Sequence, residues 1–174
     1  PTTARVMALD LARLNTDRKE LEAKMQLEAL ALIDARIASL EGHVPAGVCV
    51  YDEGWHQGVI GLVASRVKER LHRPVVAFAR SEAGWIKGSA RSVPGVHVRD
   101  VLDAIATRTP GLVDKFGGHA MAAGLTLREA SLSFFETEFA HEVERWIDEE
   151  TLAGHLHTDG ELLAGELNVA TAAA

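Results

Sequence analysis

The sequence is poor in cysteine and has no long apolar run. Its one cysteine, Cys49, excludes an internal disulfide and a cysteine-rich zinc site. No 18-residue apolar stretch occurs among the 174 residues, so the sequence predicts no membrane-spanning helix. A lone cysteine suits a reducing compartment, which favours a cytoplasmic location. No signal peptide is visible, but the chain begins with Pro1 and not with Met, so this absence indicates little.

Positive charge is scarce in the whole chain but concentrated in its middle. The formal net charge is −7. Residues 66–115 nevertheless contain ten Lys and Arg against five Asp and Glu, whereas residues 116–174 contain two against eleven. A basic segment beside an acidic tail is one form that a phosphate-binding surface can take. Ordinary solvated helix faces would produce the same imbalance.

Apolar periodicity predicts strands that alternate with helices. A long helix is expected over 17–41, with a shorter one over 5–14 and a break at Asn15. Alternation of this kind favours an α/β fold around one sheet. The expected strands are 47–52, 74–79, 84–91 and a short one from 124, and the expected helices that follow are 59–71, 98–106 and 130–149.

Residues 117–124 read Gly-Gly-His-Ala-Met-Ala-Ala-Gly and expose backbone around a single histidine. Glycine permits close approach of a ligand. If the two glycines precede a helix, their free N–H groups would bind phosphate, and His119 would add a further donor. The alternative is a tight packing turn between a strand and a helix.

Residues 88–92 read Gly-Ser-Ala-Arg-Ser and form a second candidate site. On a strand, Ser89 and Arg91 point to the same face. A hydroxyl beside a guanidinium can bind one phosphate between them. The alternative is an exposed edge strand with both side chains solvated.

A third segment, residues 54–61, reads Gly-Trp-His-Gln-Gly-Val-Ile-Gly. With 88–92 and 117–124, and in this order, it resembles the DHH-associated domain of the RecJ-type single-strand DNA exonucleases, in the DHH phosphoesterase superfamily. The resemblance extends from about Leu14 to Leu127, and more loosely to the end of the chain.

The resemblance implies an architecture and a division into domains. The expected fold is a sandwich of helices around a central mixed sheet, preceded by a long connector helix. Residues 1–42 form the connector region and 43–150 the DHH-associated, substrate-binding domain. Residues 151–174 then form the stub of an oligonucleotide-binding-fold-like domain, or a tail.

The resemblance also implies a function and a set of contacts. RecJ-type enzymes hydrolyse single-stranded DNA in the 5′→3′ direction, and this chain would form one wall of their substrate cleft. Weaker substrate candidates are Trp55, His56 and Arg18, the last of which forms an Asn-x-x-Arg pattern with Asn15. The residues expected to contact DNA phosphates are Ser89, Arg91, Ser92, Gly117, Gly118 and His119.

The chain lacks the Asp-His-His motif for which the superfamily is named. The Mn²⁺ or Mg²⁺ that activates water is therefore expected in a missing N-terminal catalytic domain. We expect this chain to bind no metal or cofactor and to be inactive alone. Its expected partners are single-stranded DNA, the missing domain and single-strand DNA-binding protein. No membrane partner is expected.

Three other functions remain open at this point. The first is a phosphoesterase of the same superfamily that acts on short oligonucleotides or nucleotide phosphates. The second is a non-catalytic nucleic-acid-binding module, and the third is a degenerate structural domain.

Overall fold

The computed structural model describes residues 2–39, 44–147 and residue 160. In chain order the elements are α1 (Thr2–Ser39), β1 (Val48–Tyr51), α2 (Ile60–Leu71), β2 (Val75–Arg80), β3 (Trp85–Arg91), α3 (Val98–Arg108), β4 (Lys115–Gly118), β5 (Ala122–Arg128), a 3-10 turn (Glu129–Ser131) and α4 (Leu132–Glu144).

The five strands form one mixed sheet in the order β1-β2-β3-β5-β4. Only β1 and β2 are parallel, and α2 makes the crossover between them. The other neighbours are antiparallel. The predicted α/β fold with a central mixed sheet is confirmed, and β3, which carries the Ser-x-Arg pattern, lies in the middle of the sheet.

Helices cover the two faces of the sheet unequally. On one face α3 and α4 pack over nearly the whole sheet, and Phe78, Leu125 and Phe135 lie in this core. On the other face α2 and α1 pack over β1 and β2, with Val63 and Val75 buried between them. This second core includes no residue of β4 or β5. Half of the second face is therefore left without a helix in the described part of the chain.

Helix α1 is continuous, so the predicted break at Asn15 is wrong. The Asn15 side chain caps no helix, because its oxygen accepts from Arg18 one turn later at 3.2 Å. Only the second half of α1 is anchored, through the buried Met25 and Ala29. Within the described residues, no helix combines the length and apolarity that crossing a membrane requires.

The segment 117–124 does not lead into a helix. It forms the hairpin between β4 and β5, so both sequence interpretations of its local structure are wrong. Strand β4 has only four residues, two of them glycine, and carries no apolar alternation that would predict it. The predicted stub 151–174 lies outside the described residues, apart from Gly160.

Candidate phosphate-binding site

Strand β3 presents Ser89 and Arg91 on the face that carries α2. Both are half-buried, while Ala90 between them is fully buried on the opposite face. Because β3 is hydrogen-bonded to β2 on one side and to β5 on the other, the edge-strand interpretation is wrong. The two side chains lie on a central strand, whose backbone is held on both sides.

The Arg91 guanidinium is oriented by its own strand. Its Nη1 donates to the Ser89 Oγ at 2.9 Å and to the carbonyl oxygen of Ala90 at 2.8 Å. No carboxylate pairs with Arg91 among the described residues. The Nε and Nη2 donors remain available, as does the hydrogen of the Ser89 hydroxyl. The half-buried Arg91 guanidinium therefore has unused hydrogen-bond donors, and no carboxylate among the described residues balances its charge.

The first turn of α2 lies against this pair. A Cβ at Gly61 would lie 2.7 Å from the Arg91 Nη2 and 3.2 Å from the Ser89 Oγ. A glycine here is what lets the guanidinium reach the helix. In the described structure, the backbone N–H groups of Ile60 and Gly61 have no hydrogen-bond partner. A helix start with free N–H groups beside a cation and a hydroxyl has the chemistry of an anion site.

The β4–β5 hairpin borders the same site. The register places Ser89 beside Gly124, and Gly124 beside Gly117. The tip is tied to the end of β3, because the Ser92 N–H donates to the Met121 carbonyl oxygen at 3.0 Å. The structure thus brings together two segments predicted to contact phosphate, 88–92 and 117–124.

The tip of the hairpin has a tightly constrained backbone. Gly118 has φ +147°, and a Cβ there would lie 2.4 Å from the carbonyl oxygen of Ala122. Only glycine fits this position. The next residue, His119, is exposed, and its N–H donates to the same carbonyl at 2.8 Å. The hairpin therefore holds the imidazole of His119 at the surface.

Ser92 is not exposed with the other candidates. It is fully buried, and its hydroxyl donates to the carbonyl oxygen of Val96 at 2.6 Å. This bond closes the turn that leads into α3. The structure gives Ser92 the role of a structural residue.

Trp55 and His56 differ in exposure. Trp55 is only 4% exposed, and its Nε1 donates to Glu28 of α1 at 3.2 Å. It fixes α1 to the domain and presents no ring face to a base. His56 is exposed just before α2, and its Nδ1 accepts from the Gly58 N–H at 3.1 Å.

Arg18 lies on α1 and interacts within that helix. It donates to Asn15 and pairs with Glu22 at 3.3 Å. No contact joins Arg18 to Ser89 or Arg91 in the described structure. The site thus includes the exposed and half-buried candidates on β3 and the hairpin, and it adds Gly61 in the first turn of α2, which the sequence analysis did not name as a site residue. The signal for this residue was its place in the Gly-rich segment.

A separate polar cluster stands where β1, β2 and β5 end. The Tyr51 hydroxyl donates to Glu129 at 2.7 Å, and Arg80 pairs with Glu129 and Glu53. Burial, and then the bond to Glu129, raise the pKa of Tyr51 to about 12. The bond from Tyr51 lowers the pKa of Glu129. Glu129 and Glu53 therefore share the single Arg80 guanidinium at this end of the sheet.

Among the described residues, no group of three or more His, Cys, Asp or Glu side chains is arranged to hold a metal ion. In the described part of the chain, the site instead gathers a guanidinium, a hydroxyl and backbone N–H groups, which are the kinds of donor that an anion site uses.

Comparison with known families identifies the domain. Residues 44–149 match the DHHA1 domain family. The chain belongs to the DHHA1 domain family. The match covers all five described strands and begins after the described end of α1.

The DHHA1 domain of this chain is similar to that of RecJ enzymes. The chain is 50% identical over 169 residues to the single-stranded-DNA-specific exonuclease RecJ of Haemophilus influenzae and 46% identical to that of Escherichia coli. Each comparison covers 97% of this chain and 29% of the relative. The chain therefore spans less than a third of the length of these relatives.

Solved RecJ structures share the fold. A crystal structure of exonuclease RecJ bound to manganese matches with a TM-score of 0.68 and 29% identity, covering 83% of this chain and 33% of that one. RecJ from Thermus thermophilus in complex with Mn²⁺ matches with a TM-score of 0.65 and 30% identity. This match covers 80% of this chain and 19% of the Thermus chain. The predicted resemblance to the RecJ family is confirmed.

Proposed function

We propose that this chain is the substrate-binding part of a 5′→3′ single-stranded-DNA exonuclease, and that it holds DNA phosphate against a catalytic domain elsewhere in a longer protein. The observation that carries the proposal is the contact between Arg91, Ser89 and the first turn of α2 at Gly61. This site offers a charge-assisted fork, a hydroxyl and free backbone N–H groups to one anion.

The terminal 5′ phosphate is the group that we assign to this site. A single compact cradle suits a terminal phosphate, which carries more charge and more free oxygens than a bridging one. Gly117, Gly118 and His119 border the cradle and would contact the next phosphate. Fixing the strand end in this way positions the scissile bond, which accounts for a large part of phosphoryl-transfer catalysis.

The metal chemistry belongs to the other domain in this proposal. The Mn²⁺ or Mg²⁺ ions of the RecJ structures are expected there, since the described residues offer no ligand cluster. The cytoplasmic location, and a single-strand DNA-binding protein as partner, also belong to the proposal.

Binding of oligo-dT with a 5′ phosphate or a 5′ hydroxyl tests the assignment. Fluorescence anisotropy is measured on the longer protein without divalent metal, so that the strand stays intact. We expect tighter binding of the phosphorylated strand, and Arg91→Ala should abolish the difference. Equal affinity of the wild type for both strands, or unchanged discrimination in Arg91→Ala, would refute the proposal.

A further inference from the structure

We propose that the uncovered half of the sheet binds the stretch of single-stranded DNA that follows the anchored 5′ phosphate. This inference rests on the proposed function and extends it along the strand. We call this surface the open face. It is the side of β3, β5 and β4 towards which Ser89 and Arg91 point, and α2 touches it only near those two residues. Its ten positions are 85, 87, 89 and 91 of β3, 122, 124, 126 and 128 of β5, and 115 and 117 of β4.

The middle of the open face is a row of two lysines around a threonine. Lys87 is paired with Thr126, and Thr126 with Lys115. Since neighbouring strands lie about 4.8 Å apart, the two lysines start about 10 Å from each other on one face. Both are exposed, and neither pairs with a carboxylate in the part of the chain that is described. A polyanion would relieve their mutual repulsion.

The outer end of the open face carries two planar side chains. The Arg128 guanidinium lies 3.8 Å from the centroid of the Trp85 ring, and the two residues are cross-strand partners. Trp85 is half-buried and Arg128 exposed. The guanidinium covers one face of the indole, and the exposed stack that the two groups form is a platform on which an unpaired base can lie.

Between the lysine row and Arg91, two neighbouring positions of the open face are glycines, Gly117 and Gly124, so the backbone is exposed there. A Cβ at Gly117 would meet no atom within 4 Å, and one at Gly124 would meet only the Gly88 carbonyl oxygen at 3.9 Å. Internal packing thus leaves room for side chains at both positions. Because both residues are glycine, no side chain projects from the sheet beside the phosphate site. None of the ten open-face positions is acidic, although the chain is acidic as a whole.

The dimensions fit a short single strand. Arg91 and Trp85 are six residues apart along β3, or about 20 Å. At a stacked spacing of about 3.4 Å per nucleotide, this length accommodates up to about six nucleotides. With the 5′ phosphate at Arg91, the strand runs past the lysine row towards Trp85. Recognition of this kind uses charge and stacking, and it is tolerant of sequence.

Oligonucleotide length separates this surface from the phosphate anchor. Binding of 5′-phosphorylated dT2 and dT8 is measured on the longer protein without divalent metal. We expect Lys87→Ala/Lys115→Ala to weaken dT8 binding roughly tenfold at low salt and to leave dT2 binding within about twofold. The slope of log K against log salt for dT8 should fall by about 1.4, because each phosphate contact on a single strand contributes about 0.7.

A charge-matched variant controls for general electrostatics. Arg66→Ala/Arg145→Ala also removes two cations, and each of these cations is already paired with a glutamate. Arg66 lies on α2 and Arg145 directly follows α4, so neither lies on the strands of the open face. It should bind both oligonucleotides like the wild type. The inference is overturned if the lysine variant matches this control at both lengths, or if it loses dT2 and dT8 binding equally. Arg91→Ala tests the 5′ anchor separately, so either proposal can fail without the other.

The stacking platform is tested by two substitutions of one residue. Trp85→Ala should weaken dT8 binding about fivefold, which corresponds to the lower end of measured base-stacking contributions. Trp85→Phe keeps an aromatic face and should recover most of that loss. Equal binding by Trp85→Ala and the wild type would contradict a stacked base at this end, and so would failure of the phenylalanine variant to recover affinity.

Discussion

At the scale of single residues, two glycines of the site segments have opposite roles. Gly61 faces the Arg91 guanidinium on the sheet, whereas Gly88 faces into the core. A Cβ at Gly88 would lie 2.6 Å from the Phe78 ring and 2.7 Å from Leu125. The first glycine therefore makes room for a flexible functional side chain, and the second makes room for packed aromatic and aliphatic groups.

The pair Gly61→Ala and Gly88→Ala separates these roles. We expect Gly61→Ala to leave the free energy of unfolding unchanged, or to raise it by up to about 1 kcal/mol, because alanine favours a helix. It should nevertheless displace the guanidinium and reduce the preference for a 5′ phosphate. Gly88→Ala should lower the free energy of unfolding by about 1–3 kcal/mol through overpacking. Urea denaturation and oligonucleotide binding measure the two effects.

A large loss of stability in Gly61→Ala would show that its first role is packing. Retained phosphate preference with unchanged stability would show that the guanidinium does not need the space beside α2.

At the scale of elements, α3 and α4 are joined by a buried carboxylate. Glu142 is 3% exposed and accepts from Arg108 at 2.6 Å and from the Trp146 Nε1 at 2.9 Å. Burial by itself raises the pKa of Glu142, but the bonds from Trp146 and Arg108 outweigh it and hold the pKa below the usual range. The ionised form is thus the one that links the two helices.

This linkage should appear in the pH dependence of stability. A carboxyl group with a lowered folded-state pKa stabilises the fold above its unfolded pKa of about 4.3 and loses that contribution as pH falls through the folded value. Glu142→Gln should lower the free energy of unfolding at pH 7 by about 1–3 kcal/mol. The difference from the wild type should shrink below about pH 4.

Urea unfolding from about pH 7 to about pH 3 measures this difference across the carboxyl titration range. Glu138→Gln, a substitution of the other Arg108 partner, is the control and should have a smaller effect, because that site is more exposed. A difference between Glu142→Gln and the wild type that does not change with pH would show that charge is not what joins the helices.

At the scale of the whole molecule, charge and chemistry are distributed unevenly. The chain carries a net charge of −7, but the open face presents only cations and neutral groups. The phosphate site has donors and no metal-ligand cluster within the described residues. This distribution supports the proposal that the chain binds and positions a strand while another domain carries out hydrolysis.

We therefore expect the 174-residue chain to leave single-stranded DNA intact in the presence of Mn²⁺ or Mg²⁺. The assay follows the release of mononucleotides from oligo-dT by chromatography. Metal-dependent release that is abolished in Arg91→Ala would contradict the expectation. Release that is equal in the wild type and in Arg91→Ala would indicate a contaminating nuclease, since the phosphate site would play no part in it.

The sequence by itself determined where most of the strands and helices lie, because these depend on the local periodicity of apolar residues. The period of two along β3 was enough to place Ser89 and Arg91 on one face, and glycine-rich segments marked the family. The sequence did not reveal strand β4, which is short and without alternation, or the continuity of α1 through Asn15.

Only the tertiary structure decided what those residues face. Strand order placed Ser89 and Arg91 in the middle of the sheet, and the docking of α2 brought Gly61 to the guanidinium. The same docking buried Trp55 and left half of one face without a helix among the described residues. These outcomes depend on contacts between segments far apart in the chain, where helix position and strand order follow from the packing of two cores. A local pattern predicts towards which face of the sheet a side chain points. Long-range packing determines whether a helix covers that face or leaves it open.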